Sequence, residues 1–317
     1  MATVELSRRP QRKVLGLNSR GWDQISNSVV LIFAGIVVTA LVLIYLFVGS
    51  QAFQTFTIDH LSPGTFFLSK DWDNSFGTLA IVVGTISLVV IGLLIAVPLS
   101  IGIALFITEI APPWMARILR SIVELFLGIP SVIFGLLGIL VVVPFVANII
   151  NGIAGQEFFT TGKGIFAAGI VVAFMVMPTI TTITVDSLVA IPRELREGSL
   201  ALGATRWQTM TKTLIPAATP GIMTGVILGT ARIIGETIAV GLVIGGSARI
   251  FPIDFVHGQL FIGSTSVMTT QIFHDFANAT QGSPILNAIW TLSFFLIVIS
   301  GVLVFVSRAI TSRKVYK

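Results

Sequence analysis

The chain has 317 residues, 54% hydrophobic and 10% charged, with mean hydropathy +0.97, whereas a soluble domain carries roughly a quarter charged residues. So little charge cannot cover a water-facing surface of this size, and the sequence is that of an integral membrane protein. The net charge of +5 does not point to nucleic acid, because the basic residues flank long apolar runs, and the absence of cysteine excludes disulfides, zinc thiolates, iron–sulfur clusters and thiol catalysis.

The first apolar run, 29–48, is long enough to cross a hydrocarbon core of roughly 30 Å at about 1.5 Å per residue. It exceeds a signal-peptide core and no small-residue cleavage site follows, so it reads as a retained helix. Five further runs follow at 76–107, 122–150, 164–191, 219–244 and 285–307. Six crossings put both termini on one side. One set of basic residues holds Arg8, Arg9, Arg12, Lys13 and Arg20, then Arg117, Arg120, Arg193, Arg196, Arg206 and Lys212, and finally Arg308, Arg313, Lys314 and Lys317. The opposite set holds Lys70, Lys163 and Arg249, and Arg232 lies within a run. Lys and Arg are retained on the cytoplasmic side, so both termini are expected there. The expected organisation is a cytoplasmic N-terminal segment at 1–24, a first transmembrane helix with an outer segment at 25–75, a transmembrane domain at 76–310 and a cytoplasmic tail at 311–317. No internal repeat is visible, which argues against the inverted-repeat secondary transporters.

The outer side is expected to carry 51–75, a short turn at 152–163 and a longer connection at 247–284. Their polar residues Asp71, Trp72, Asp73, Asp254, His257, His274 and Asp275 read as solvated loop, with docking of an external partner as the rival reading.

The third run contains Glu124-Leu-Phe-Leu-Gly128-Ile-Pro130-Ser131. Pro130 removes a backbone donor and Gly128 loosens the helix, so a kink or break is expected there. A broken helix can turn free N–H groups toward an anion, with Ser131 adding a hydroxyl; a plain packing kink is the equal alternative. In the fourth run Thr179, Thr181, Thr182 and Thr184 either line a polar path or satisfy their own helix's carbonyls. Between the fourth and fifth runs, 191–216 is of mixed polarity. Pro192 suits a helix start, Glu194 and Glu197 complement its N-terminal dipole, Gly203 is a stop, and Pro216 closes a second helical piece.

The fifth run holds Arg232 and Glu236, which on one continuous helix would share a face and pair. A charge at mid-bilayer costs about 3 kcal/mol on the gentler insertion scale, so such residues face a protein interior or water and are functional candidates. Gly221, Gly225 and Gly229 form a small-residue stripe on the same run, a packing surface.

The loop 191–216 resembles the one that defines the membrane subunits of binding-protein-dependent ABC importers: Glu-Ala-Ala, three residues, Gly, nine residues, Ile-x-Leu-Pro. Here Glu197-Gly198-Ser199, Gly203 and Thr213-Leu214-Ile215-Pro216 keep the Glu, Gly and Pro spacing, with Gly and Ser at the Ala positions and Thr and Ile at the Ile and Leu positions. The runs from Glu124 to Ser131, from Ser199 to Trp207 and from Arg232 to Thr237 are similar to the phosphate-importer permeases. The stretch from Gly235 to Val240, with Trp72 and Phe76-Gly77 before the second run, is closer to their PstC type than to the PstA type. The resemblance implies an all-α, type I (MetI-like) ABC importer permease fold of about six transmembrane helices with cytoplasmic coupling helices. It implies an ATPase-coupling loop at 191–216 carried by Glu197, Ser199, Ala201, Gly203, Arg206 and Pro216. It also implies a phosphate path through Arg232, Glu236, Thr237 and Ser131. The partners implied are a PstA-like second permease, a PstB-like ATP-binding subunit dimer that holds ATP and magnesium, and a PstS-like external phosphate-binding protein.

No Gly-x-x-x-x-Gly-Lys-[Ser/Thr] loop is present, since Gly162-Lys163-Gly164 lacks the spacing and the hydroxyl, so the chain is expected to be non-catalytic with no cofactor of its own. Nothing resembles a metalloprotease motif or a nucleophile elbow, and three scattered histidines do not suggest a metal site. Two other readings stay open: a permease for another oxyanion such as sulfate or molybdate, and an ATPase-independent secondary transporter or channel.

Overall fold

In lipid each backbone polar group must find its partner within the chain, and apolar runs of this length do so as helices. The structure, a computed structural model, describes residues 19–69, 72–154, 161–246 and 263–315. The expectations attached to Arg8, Arg9, Arg12, Lys13, Lys70, Asp71, Arg249, Asp254, His257 and Lys317, and to the side chains of Arg20, Asp73, Arg313 and Lys314, fall outside what is described.

The chain forms two units, Met1–Ser50 and Gln51–Lys317. In the first, α1 (Ser19–Ala52) carries apolar side chains such as Leu31, Phe33 and Leu41 on an exposed surface suited to lipid. The second begins with short helical turns α2 (Gln54–Thr57), α3 (Pro63–Leu68) and α4 (Trp72–Ser75). Then come α5 (Leu79–Leu105), α6 (Pro113–Leu127), α7 (Ser131–Leu137), α8 (Val143–Ala154) and α9 (Ile165–Val189). They are followed by α10 (Arg193–Ala201), α11 (Arg206–Gln208), α12 (Ile215–Gly235), α13 (Ile238–Ile244), α14 (Met268–Phe276) and α15 (Pro284–Val315). Among the described residues no strand forms beyond an isolated bridge between Gly245 and Thr265.

Six helical stretches are long and apolar enough to cross a membrane: Ser26–Thr57, Leu79–Ile110, Ser131–Gly152, Ile165–Val189, Arg206–Gly235 and Pro284–Val306. The number matches expectation, and two boundaries do not. The run expected at 122–150 is divided, because Gly128 ends α6 and Pro130 caps α7, so the continuous crossing helix begins at Ser131. The run expected at 219–244 starts earlier and stops earlier. Pro216 does not close a loop helix: it follows directly on the π-turn at Thr209–Leu214, and helix is continuous through both from Arg206 to Gly235.

The fourth crossing, α9, is the axis of the second unit, with 67% of its most apolar window buried against 17–44% for the other crossings of that unit. Alternating small and branched side chains let neighbours close on it. Gly92 of α5 meets Val172, and on α12 Gly221 meets Ser187 while Gly225 and Gly229 meet Ile180, so the glycine stripe is a packing surface as expected. The tightest approach that matters to the site is Gly135 of α7, where an added Cβ would lie 2.7 Å from Ala239 Cα on α13. Backbone cannot yield as a flexible side chain does. Gly135→Val is therefore expected to destabilise the folded chain by about 1–3 kcal/mol, read as a lower thermal midpoint in detergent, and an unchanged midpoint would show that α7 and α13 are free to separate.

Candidate functional site

Packing register fixes the depth of each candidate residue along α9. At one end Arg120 of α6 donates to Asp186 at 2.6 Å, and at the other Gly138, just after α7, abuts Val171. The segment from α6 through α7 thus runs antiparallel along α9, and its break at Gly128–Pro130 lies midway, opposite the stretch around Thr179. On α12 the order is Gly221 against Ser187, Gly225 against Ile180, then Arg232 donating through Nη1 to Thr179 Oγ1 at 3.4 Å. Gly135 against Ala239 and Gly138 against Val243 make α7 and α13 parallel. Arg232 thus reaches Thr179, halfway along the central crossing, with Glu236 and Thr237 at the break that follows α12, while Ser131 opens α7 and among the described residues makes no hydrogen bond to any of them.

The expected Arg232–Glu236 pair is not formed. Helix α12 ends at Gly235, and Glu236 turns to an extended conformation with ψ 122°, which swings its side chain off the face that carries Arg232. Its Oε1 instead accepts the Ala239 N–H at 3.1 Å and starts α13. The cause is local: glycine weakens the last turn and a carboxylate satisfies an orphan N–H of the next helix. Arg232 is left half-buried, and among the described residues its one acceptor is the long contact to Thr179. Most of its N–H donors have no acceptor among the described residues.

The other threonines of α9 divide as the alternatives allowed. Thr182 donates to Pro178 O at 2.9 Å and Thr184 to Ile180 O at 2.7 Å, each within its own helix. Thr181 is buried, and its hydroxyl has no partner among the described residues. Thr179 alone reaches the charged residue.

The loop forms as a short helix, a turn and a second helix. Pro192 caps α10, Gly203 takes a left-handed φ of 83° that an L side chain resists, and Thr205 with Gln208 makes a capping box at α11. Glu197, Ala201, Gly203, Arg206 and Pro216 are exposed. Ser199 is half-buried and clasps the two helices, 3.0 Å from Thr209 Oγ1. Around it Leu195, Leu200, Leu202 and Trp207 project apolar surface, Leu202 at 91% and Trp207 at 66% exposure. Below α10 a cleft of about 400 Å³ is lined by Thr108, Glu109, Arg193, Arg196 and Glu197 among others.

Reading the residues in sequence missed the joint beneath this loop. Arg196 donates to Glu109 at 3.1 Å, to Ile191 O at 2.8 Å and to Leu188 O at 2.6 Å, fastening α10 to the ends of α9 and of the second crossing. The available signal was Glu109, a carboxylate closing an apolar run next to a loop rich in arginine. The segments beyond the crossings also differ from expectation. Trp72 and Asp275 are not solvated: both are buried, and the Trp72 indole donates to Asp275 Oδ2 at 2.7 Å. Gln271 donates to the same oxygen at 2.7 Å and the exposed His274 ring contacts Oδ1 at 3.0 Å, because these residues lie on the helix α14 and not in a loop.

Comparison with known proteins places this geometry. The family model described as binding-protein-dependent transport system inner membrane component matches residues 96–315. A Bacillus subtilis (strain 168) protein described as probable ABC transporter permease protein YqgH is 37% identical over 310 residues, covering 96% of each chain. The phosphate transport system permease protein PstC of Xylella fastidiosa (strain 9a5c) is 34% identical over 280 residues, covering 84% of this chain and 82% of that one. Among solved structures, a chain of the MetNI methionine ABC transporter in an inward-facing conformation aligns with TM-score 0.52 at 23% identity, covering 78% of this chain and 99% of that one.

Proposed function

We propose that this chain, which belongs to the binding-protein-dependent transport system inner membrane component family, is the PstC-type permease subunit of an ATP-driven importer of inorganic phosphate. The observation that carries this reading is the half-buried Arg232, which has no carboxylate partner among the described residues and reaches Thr179 halfway along the central crossing, close to the break between α12 and α13. Phosphate is a strongly hydrated anion, and a guanidinium offers several N–H donors to its oxygens in place of water. Glu236 and Thr237 form the break after Arg232, and Ser131 opens α7, which packs against α13. Because Glu236 is engaged as a cap, Arg232 meets the anion without a competing carboxylate. The similarity to PstC of Xylella fastidiosa supports phosphate over sulfate or molybdate.

The energy enters through the loop 191–216. Its exposed Leu202 and Trp207 stand on a stiff clasped helix pair, the surface a cytoplasmic ATPase groove would cover, with Glu197, Ser199, Ala201, Gly203, Arg206 and Pro216 forming and supporting it. Pro216 lies in the helix that ends at Gly235, so movement of the loop travels along one continuous helix to the break at Glu236. The protein is a multi-pass membrane protein, with both termini on the cytoplasmic side by its charge distribution. It works with a PstA-like second permease, a PstB-like ATPase dimer that binds ATP and magnesium, and a PstS-like external phosphate-binding protein. The test is to co-purify the membrane complex, identify its subunits and measure ATP hydrolysis in vesicles with the binding protein. Stimulation by phosphate is expected; stimulation by sulfate and not phosphate would replace the substrate, and transport by the purified chain alone under an ion gradient would replace the mechanism.

A further inference from the structure

The break at Glu236 is not held by its own helix alone. The Thr269 hydroxyl, at the start of α14, donates to the Glu236 carbonyl at 2.9 Å and is itself buried. That carbonyl follows the last residue of α12, and its side-chain donor among the described residues is Thr269. The same short helix is anchored at both ends to other elements. At its start the Met268 N–H donates to Thr85 Oγ1 of α5 at 3.0 Å. Near its end Asp275 takes the Trp72 indole at 2.7 Å, and Trp72 belongs to the segment between the first and second crossings. Beside α14 lies a cleft of about 480 Å³ lined by Thr237, Gly241, Gln271 and His274 among others. Hydrogen bonds at its two ends, and the packing of Met268 and Ile272 into the cluster with Phe66 and Leu292, hold the helix in place.

We propose that Thr269 is a positioning residue for transport, and that α14 is a strut setting the shape of the Glu236 break from an outer anchor at Trp72–Asp275. The inference rests on the reading that Glu236 lies on the phosphate path. Thr269 does not touch the anion; it fixes the backbone that carries Glu236 and Thr237. A load applied to the outer segment at Trp72 reaches the break through α14, the helix that carries both Asp275 and Thr269.

In the complete complex reconstituted in vesicles, Thr269→Val, which removes the hydroxyl and keeps the shape, is expected to lower the maximal rate of phosphate uptake about tenfold with KM unchanged. Thr269→Ser restores the donor and is expected to restore the rate. Backbone hydrogen exchange over residues 236–240 is expected to quicken about tenfold in Thr269→Val and in Trp72→Phe, with the double variant no faster than either alone, since both release one strut. Unchanged exchange in Thr269→Val overturns the strut whatever the uptake shows, and quickened exchange with a normal rate overturns the positioning role. Normal uptake by Arg232→Gln would instead count against the phosphate path, and the exchange measurement still decides the strut.

Discussion

Replacing Arg232 with Gln is expected to lower phosphate uptake by on the order of 100-fold while the complex still assembles. The magnitude follows from what the site loses. Among the described residues Arg232 makes one long hydrogen bond, to Thr179, so its removal disturbs little of the described fold. An anion halfway through the crossing, by contrast, loses the one guanidinium that the described residues hold at that depth, and charge-assisted hydrogen bonds there are worth about 1.5–3 kcal/mol apiece. Arg232→Lys keeps the charge but not the planar fork, and is expected to retain part of the activity. Uptake is measured with labelled phosphate in vesicles, with co-purified ATPase as the check on assembly. A wild-type rate in Arg232→Gln would remove Arg232 from the path.

Much of this site was legible in the sequence because its signals are covalent. Proline, glycine and buried charge each carry a local consequence, so the break at Gly128–Pro130, the turn at Gly203 and the placing of Arg232 in a crossing could all be read from single residues. What could not be read is what depends on competition between partners. An Arg and a Glu four positions apart pair only if the helix continues, and here the last turn yields at Gly235 because Glu236 finds an orphan N–H to cap. Pro216 looked like a stop, yet helix continues through it, with the π-turn at Thr209–Leu214 lying just before it. The Trp72–Asp275 bond joins residues 203 apart in sequence, and no local pattern distinguishes such a buried carboxylate from a solvated one.

The second large effect is expected at Arg196. Its guanidinium joins α10 to Glu109 and to the carbonyls of Leu188 and Ile191, with side-chain exposures of 21% for Arg196 and 16% for Glu109. In Arg196→Ala the carboxylate of Glu109 stays in a largely buried place without a counter-charge, and two carbonyls at the end of α9 lose a donor, which together cost about 2 kcal/mol or more. The docking surface is untouched, because Leu202 and Trp207 lie further along the loop. The ATPase is therefore expected to bind and hydrolyse ATP, while phosphate carried per ATP falls about tenfold, since α10 now moves without drawing the ends of α9 and the second crossing with it. Trp207→Ala should behave in the opposite way, weakening recruitment of the ATPase and lowering transport and hydrolysis together. Arg196→Lys, which keeps the charge beside Glu109 but has a single point of contact, should fall between wild type and Arg196→Ala. The decisive measurement is the ratio of phosphate transported to ATP hydrolysed in the same vesicles. If Arg196→Ala lowers both in proportion, the residue serves docking or folding, and the joint between loop and crossings lies elsewhere.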